Sequence, residues 1–127
     1  MYKVAWLFKR KPGLSHEAFR EIFESRHPIL AKKHFGHLLV EYRRNYASEA
    51  WSGGDPKRER GAFAPSPWAY DCLSEWVMPN REAFDEIMRI LADPVIGQEF
   101  DEDEERFLDR TSSTLIHFDV VDTGVSV

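Results

Sequence analysis

The sequence predicts an α+β fold in which one four-stranded antiparallel sheet carries two helices on a single face. The first observation is the order of the predicted elements, strand, helix, strand, strand, helix, strand, which makes two βαβ-like halves. The second is the length of 127 residues, which suits one domain. The third is an apolar content of 43%, enough for a core without disulfides or a structural metal. Residues 1–127 are therefore predicted to form one domain, with a long loop insertion at 49–67.

The first strand is predicted over residues 2–9, YKVAWLFK, which are rich in aromatic and aliphatic side chains. Val4, Trp6 and Phe8 alternate with the residues between them and therefore share one face. The intervening residues are also apolar in the middle of the strand, so both faces are expected to be covered.

The first helix is predicted to begin after Ser15, a good N-cap residue. Phe19 and Phe23 follow at helical spacing and form a narrow apolar stripe. Pro28 cannot donate its amide to the carbonyl four residues earlier, and its ring crowds that turn. The helix is therefore expected to end or kink near His27, which would leave the imidazole at the bend.

The same two periodicities predict the other regular elements. They are a second strand over 37–47, a third strand over 69–78, a second helix over 81–92 with Asn80 as its cap, and a fourth strand over 112–121.

Two segments carry no clear periodicity. Residues 49–67 hold several Gly and Pro and exceed an ordinary connection, and such loops are typically functional or disordered. Residues 101–109, DEDEERFLD, form an acidic run that is predicted to be a solvated surface turn, with Phe100 and Phe107 as its anchors.

The strands are apolar or aromatic on both faces, whereas the helices cover only one. A second copy of the chain is the most economical cover for the other face. The sequence therefore predicts a homodimer whose two sheets lie face to face.

Composition and charge exclude several classes of partner. The net charge of −5 argues against binding to nucleic acid and against a basic helix on a membrane surface. No apolar run approaches the roughly 20 residues that cross a bilayer. One cysteine, Cys72, cannot form a disulfide within the chain, which fits a reducing compartment and predicts a cytoplasmic protein.

No metal and no cofactor are expected. His34 and His37 lack a third ligand at a convincing spacing, and there is no CxxC pair. No Gly-rich phosphate loop joins a strand to a helix, so flavin and nicotinamide are not expected.

Four segments resemble the EthD-like family of dimeric α+β barrel proteins. They are FKRKPGLSHEAFREIFESRHPIL at 8–30, EYRRNYA at 41–47, LSEWVMPNREAF at 73–84 and DEERFLDRTSS at 103–113. The resemblance implies a ferredoxin-like subunit that dimerises into a barrel with a pocket. Related barrels include dehydratases, isomerases, polyketide cyclases, cofactor-free monooxygenases and haem-binding enzymes, and fold alone does not choose among them.

Three residues are the candidates for catalysis: His27, Glu75 and Asn45. An imidazole exchanges protons near neutral pH, but a histidine at a helix end can also simply cap free carbonyls. Glu75 lies in an otherwise apolar strand, where a desolvated carboxyl becomes a usable acid or base, or it pairs with Arg43 or Arg44 across the sheet. Asn45 would donate to an oxyanion.

Aromatic and polar side chains near the strands are the candidates for ligand binding. They are Trp6, Phe8, Tyr42, Tyr46, Trp51, Trp76 and His117, several of which are also expected to fill the core or the dimer interface. The predicted partner is a small apolar or aromatic ligand.

These observations predict a cofactor-free lyase or dehydratase, isomerase or cyclase. It would act by general acid/base chemistry on a small aromatic or apolar carbonyl compound, and the resemblance implies a place in catabolism of aromatic compounds or polyketide-type metabolism. His27 or Glu75 would move a proton next to the carbonyl, and Tyr42 and Asn45 would hold the developing oxyanion. The alternatives are a non-catalytic binding or carrier protein and a cofactor-free monooxygenase.

Overall fold

A four-stranded antiparallel sheet with helices packed on one face dominates the computed structural model, which describes residues 1–53 and 63–125. The middle of the predicted loop insertion, 54–62, and residues 126–127 lie outside the described residues. The elements are β1 Tyr2–Phe8, α1 His16–Phe35, β2 Glu41–Asn45, β3 Trp51–Ser52, β4 Ala64–Pro65, β5 Cys72–Met78, α2 Arg81–Ala92, α3 Pro94–Glu104 and β6 Thr114–His117. Short 3-10 helices cover Gly36–Leu38 and Arg110–Ser112.

The strand order in the main sheet is β2-β5-β1-β6, and every pair is antiparallel. The two central strands, β1 and β5, pair along their whole length, with Val4 opposite Trp76 and Phe8 opposite Cys72. This order is that of a βαββαβ chain and confirms the predicted α+β class. The short strands β3 and β4 form a separate ribbon at the base of the predicted loop insertion.

The helix-covered face of the sheet carries the core. Val4 is fully buried and lies in one cluster with Phe35, Trp76 and Phe100. The second cluster forms around Phe8 at the other end of β1. Its other buried members are Phe19, Phe23, Cys72, Phe107 and Leu108.

Helix α1 continues through Pro28 to Phe35, so the alternative that it ends near His27 is wrong, and the alternative of a kink there stays a prediction. Ser15 caps it as predicted, with its Oγ accepting from the amide of Ala18. Proline removes one hydrogen bond, but the turns on both sides of it bury core side chains. Packing of a buried face, more than local propensity, decides whether a helix persists.

Helix α3 replaces the predicted acidic surface turn, which is wrong for residues 101–104. Asp93 starts this helix, because its Oδ1 accepts from the amides of Val95 and Ile96. Asp103 is fully buried in its last turn, where two side chains bind the carboxylate. Phe100 and Phe107 are buried, as predicted for the two anchors.

All four strands of the main sheet are shorter than predicted, β1 by a single residue because it ends at Phe8. β2 begins at Glu41 because the preceding residues form a 3-10 helix. β5 begins at Cys72, and β6 ends at His117, after which Phe118 and Val120 are exposed.

The opposite face of the sheet, here named the open face, contributes to neither core cluster. Its central apolar side chains are Leu7, Leu73, Val77 and Ile116, all half-buried. Lys3 and Glu75 lie among them, with Glu75 between Leu73 and Val77 on β5, and form an ion pair with 3.6 Å between Nζ and Oε1.

Candidate active site

A cavity of about 250 Å³ lies between the helix-covered face of the sheet and helices α1 and α3. Its walls are largely aromatic, with Trp6 and Phe8 from β1, Trp76 from β5, Phe35 from α1 and Phe100 from α3. Three of these five, Trp6, Phe8 and Trp76, are among the residues predicted to bind a ligand. Leu91 and Leu108 complete the apolar lining.

Four polar residues also line the cavity: His27, Glu104, Arg110 and Ser113. They come from α1, from the end of α3, and from the segment that leads into β6. An apolar cavity with a few converging polar groups is the usual form of a small-molecule site.

His27 is held by a buried carboxylate. Its Nδ1 lies 3.2 Å from Oδ2 of Asp103, which is fully buried. The other carboxylate oxygen of Asp103 accepts from Nε and Nη2 of Arg106, at 3.1 and 2.5 Å. Arg106, Asp103 and His27 therefore form one hydrogen-bonded chain that leads from the surface to the cavity wall.

The charge of Asp103 fixes the tautomer of His27. Burial alone would raise the pKa of Asp103, but hydrogen bonds from His27 and Arg106 outweigh it and hold the pKa below its ordinary value. An ionised carboxylate only accepts, so Nδ1 of His27 must carry the proton. The remaining nitrogen, Nε2, makes no hydrogen bond within the described residues and is the basic atom of the neutral ring.

Aromatic rings hold the imidazole plane in place. His27 packs edge-to-face against Phe23, Phe100 and Phe107, at centroid distances of 5.2, 5.4 and 5.6 Å. A base fixed by packing on three sides loses little freedom when a ligand binds.

Glu104 is the second ionisable group in the cavity wall. Burial raises its pKa, although the nearby charges of His27 and Arg110 oppose the shift. Arg110 also pairs with Asp101 and Glu105, so its charge is shared among three carboxylates. A carboxyl whose pKa is raised in a partly desolvated site can donate a proton at higher pH than usual.

Two buried polar atoms at the cavity have no hydrogen-bond partner within residues 1–53 and 63–125. They are Nε1 of Trp6 and Oγ of Ser113, and both residues line the cavity. Native proteins leave few buried polar groups unpaired, so each unpaired group calls for an explanation.

Two of the three residues predicted to be catalytic lie outside this cavity. Glu75 is on the open face, where it pairs with Lys3 rather than with Arg43 or Arg44. Asn45 is exposed, and its Nδ2 donates to the carbonyl of Leu73 at 3.0 Å.

The two tyrosines predicted to bind a ligand sit between β2 and α1. Tyr46 donates to Oε2 of Glu24 at 2.7 Å, and the guanidinium of Arg44 lies over the ring of Tyr42 at 4.5 Å. Burial raises the pKa of both phenols. Neither tyrosine lines the cavity.

The two remaining residues predicted to bind a ligand, Trp51 and His117, also lie outside the cavity. Trp51 is 55% exposed in the β3–β4 ribbon. The Nδ1 of His117 is hydrogen-bonded to the hydroxyl of Tyr2 at the edge of the sheet. Cys72 is buried in the core, and burial raises the pKa of its thiol to about 12.

Sequence reasoning missed the polar residues that complete the site: Asp103, Glu104, Arg106, Arg110 and Ser113. All five lie in the segment DEERFLDRTSS, which carried part of the family resemblance. Their spacing showed no helical stripe, because the buried position in the last turn of α3 is an aspartate.

Residues 1–53 and 63–125 contain no group of three His, Cys, Asp or Glu side chains able to hold a metal ion. Among the helices of this part of the chain, none is both long enough and apolar enough to span a bilayer.

Solved structures with the same fold cover nearly the whole chain. An EthD family protein from Bacillus halodurans is 16% identical, with a TM-score of 0.57, over 95% of this chain and 100% of its own. HapK from Hahella chejuensis is 11% identical, with a TM-score of 0.57, over 100% of this chain and 99% of its own. A dabb family protein with a ferredoxin-like fold from Mesorhizobium loti is 12% identical, with a TM-score of 0.53, over 95% and 97%. At these identities the similarity shows the ferredoxin-like fold alone.

No curated protein matches the chain significantly. The family model of the EthD domain matches residues 11–111, which include α1, the buried Asp103 and three of the four polar residues of the cavity, His27, Glu104 and Arg110. The sequence resemblance is therefore confirmed, and the chain belongs to the EthD family.

Proposed function

We propose that this protein is a cofactor-free lyase or dehydratase, isomerase or cyclase that acts on a small aromatic or apolar carbonyl compound. The observation that carries the proposal is His27, which lies in the wall of an apolar cavity and is oriented by the buried carboxylate of Asp103. Such a compound belongs to aromatic catabolism or to polyketide-type metabolism.

The chemical step is proton abstraction next to a carbonyl. Nε2 of His27 takes a proton from the α-carbon, and the electrons of the C–H bond form an enolate. The imidazolium that results is stabilised by Asp103, whose charge is held by Arg106. The enolate then either accepts a proton at another carbon, attacks a second carbonyl, or expels a β-hydroxyl as water.

Glu104 supplies a second proton carrier. Dehydration requires a proton on the departing hydroxyl, and isomerisation requires one on a second atom. Glu104 lines the same cavity as His27, and burial raises the pKa of its carboxyl. In this proposal Glu104 takes the place that sequence reasoning gave to Glu75.

The proposed assembly is a homodimer formed through the open face. That face holds four half-buried apolar residues that belong to neither core cluster. An isologous contact would cover the same residues on both copies.

Exchange of carbon-bound protons tests the reaction without knowledge of the natural substrate. The protein is incubated in D₂O with a panel of enolisable aromatic ketones, and deuterium uptake at the α-carbon is followed by NMR. His27→Ala should lower the exchange rate by roughly 10²- to 10⁴-fold, the usual contribution of a general base. Glu75→Gln is the matched control, because its carboxyl is on the open face, and it should exchange at the wild-type rate.

Two outcomes would replace the proposal. Ligand that is bound and released with all its C–H bonds unexchanged would indicate a carrier. Consumption of dissolved oxygen with each turnover would indicate a monooxygenase. Mass spectrometry of ligand that copurifies with the protein would supply the natural compound for either assay.

A further inference from the structure

The two unpartnered polar atoms lie at the sheet wall of the cavity. Trp6 is in β1, opposite Leu115 of β6. Ser113 is two residues before Leu115 and has an extended backbone, with φ −74° and ψ 136°. Side chains two residues apart on extended backbone share a face, so Ser113 and Trp6 face the same side of the sheet.

Neither atom has a hydrogen-bond partner in the part of the chain that the structure describes. Nε1 of Trp6 is a donor only, and the hydroxyl of Ser113 can donate or accept. Both atoms are buried. An oxygen with lone pairs at this end of the cavity could accept a hydrogen bond from either atom.

The other residues of the cavity limit which oxygen-containing group can bind there. The walls are aromatic, and the charge of Arg110 is already shared with three carboxylates. A cavity of about 150 Å³ holds benzene, so a volume of about 250 Å³ has room for one or two fused rings. An uncharged oxygen on a flat ring compound fits these walls better than a carboxylate or a phosphate does.

We propose that Nε1 of Trp6 and Oγ of Ser113 form the oxygen-binding end of the cavity and select an uncharged one- or two-ring ketone by its carbonyl oxygen. This inference rests on the proposed function, since it concerns the same cavity. If a proton leaves the α-carbon to His27, negative charge develops on that oxygen, and the same two donors would stabilise it.

The test uses α-tetralone and tetralin, a bicyclic ketone and the hydrocarbon of the same skeleton. Protein with ¹⁵N-labelled tryptophan is titrated with each compound, and the indole N–H signal of Trp6 is assigned from its loss in Trp6→Phe. α-Tetralone should shift this signal downfield and slow its exchange with solvent, and tetralin should not. Wild-type protein should bind the ketone roughly tenfold more tightly than the hydrocarbon, as expected for one or two new hydrogen bonds.

Two variants remove one donor each. Trp6→Phe keeps an aromatic ring and Ser113→Ala keeps the backbone, so each should reduce the preference for the ketone by roughly threefold to tenfold. Tetralin affinity should stay close to wild type in Ser113→Ala. Thermal unfolding identifies any variant that has lost its fold. In that event, the shift of the Trp6 indole N–H signal in the wild-type protein still tests the proposal.

Several results would overturn the inference. They are equal binding of ketone and hydrocarbon by the wild type, no binding of the ketone, an unshifted Trp6 signal, or a preference that survives both substitutions. Failure of the proposed function is separate: a Trp6-dependent preference for ketone without any α-proton exchange would remove the reaction and keep the oxygen site. Exchange of α-protons without a preference for the ketone would keep the proposed reaction and remove the oxygen site.

Discussion

Asp103 and Glu104 are adjacent in the chain, yet the pKa of one carboxyl is lowered and that of the other is raised. Asp103 receives hydrogen bonds from His27 and Arg106 that hold its pKa low, whereas burial raises the pKa of Glu104. The last turn of α3 directs the first toward the imidazole and places the second in the cavity wall. One helical turn thus provides a permanent anion and a titratable acid.

Glu104 is expected to reduce stability at neutral pH. A group whose pKa is raised by folding favours the folded state below its unfolded pKa, about 4.3 for Glu, and this contribution is lost as the pH rises through the folded value. Glu104→Gln should therefore be more stable than wild type at pH 7, by about 0.5–1 kcal/mol, a modest effect for one substitution. The advantage should shrink below pH 4.

Urea denaturation at the two pH values measures this difference. Glu102→Gln is the matched control, because it makes the same change on the exposed side of α3. A Glu104→Gln protein that is less stable than wild type at pH 7 would contradict the assignment of a destabilising buried carboxylate.

At the scale of elements, the sequence predicted what local patterns encode. The alternation in β1, the capping residues Ser15 and Asn80, and the end of α2 before Asp93 all follow from a few neighbouring residues. The persistence of α1 through Pro28 depends instead on the surrounding core. Helix α3 was missed because its buried Asp103 looks like part of a solvated acidic run until a partner 76 residues away is known.

Gly97 allows α3 to start close to the end of α2. A Cβ at this position would lie 2.7 Å from the carbonyl oxygen of Leu91. Alanine normally stabilises a helix interior by about 1 kcal/mol relative to glycine, but here Gly97→Ala should destabilise by roughly 1–2 kcal/mol because the backbone must move. Urea denaturation measures the change.

Gly36→Ala is the control for this contact. Its Cβ would lie 3.2 Å from Cγ of Lys32, a flexible side chain that can move away. It should be nearly neutral, and a Gly97→Ala protein at least as stable as Gly36→Ala would show that the two helices can separate without cost.

At the scale of the molecule, the proposed homodimer would form through the open face. Val77 is one of the half-buried apolar residues of that face and lies near the end of β5. Because an isologous interface repeats every contact, Val77→Asp would bring two buried negative charges into it. Light scattering at micromolar concentration should then report half the wild-type mass.

Val95→Asp is the matched control on another surface, since Val95 is 72% exposed on α3. It should leave the mass unchanged. A wild-type protein that is already a monomer at this concentration would remove the homodimer altogether.

The site was only partly predictable because its members come from distant parts of the chain. His27 was singled out by its place before Pro28, and the aromatic residues of β1 and β5 by their alternation. Glu75 and Trp76 are neighbours in β5 and therefore point to opposite faces of the sheet. The helices cover the face of Trp76, and no local pattern shows which of the two faces that is. The acidic and basic partners of His27 required the tertiary structure.

Phe35, Trp76 and Phe100 belong both to the hydrophobic core and to the cavity wall. A change that enlarges the cavity for another compound therefore also removes core packing, at about 3–5 kcal/mol for truncation of a large aromatic side chain. Domains of this size have only about 5–15 kcal/mol in total. The range of compounds that this cavity can hold is consequently coupled to thermostability, and a lineage whose cavity is enlarged needs stabilising substitutions elsewhere in the fold.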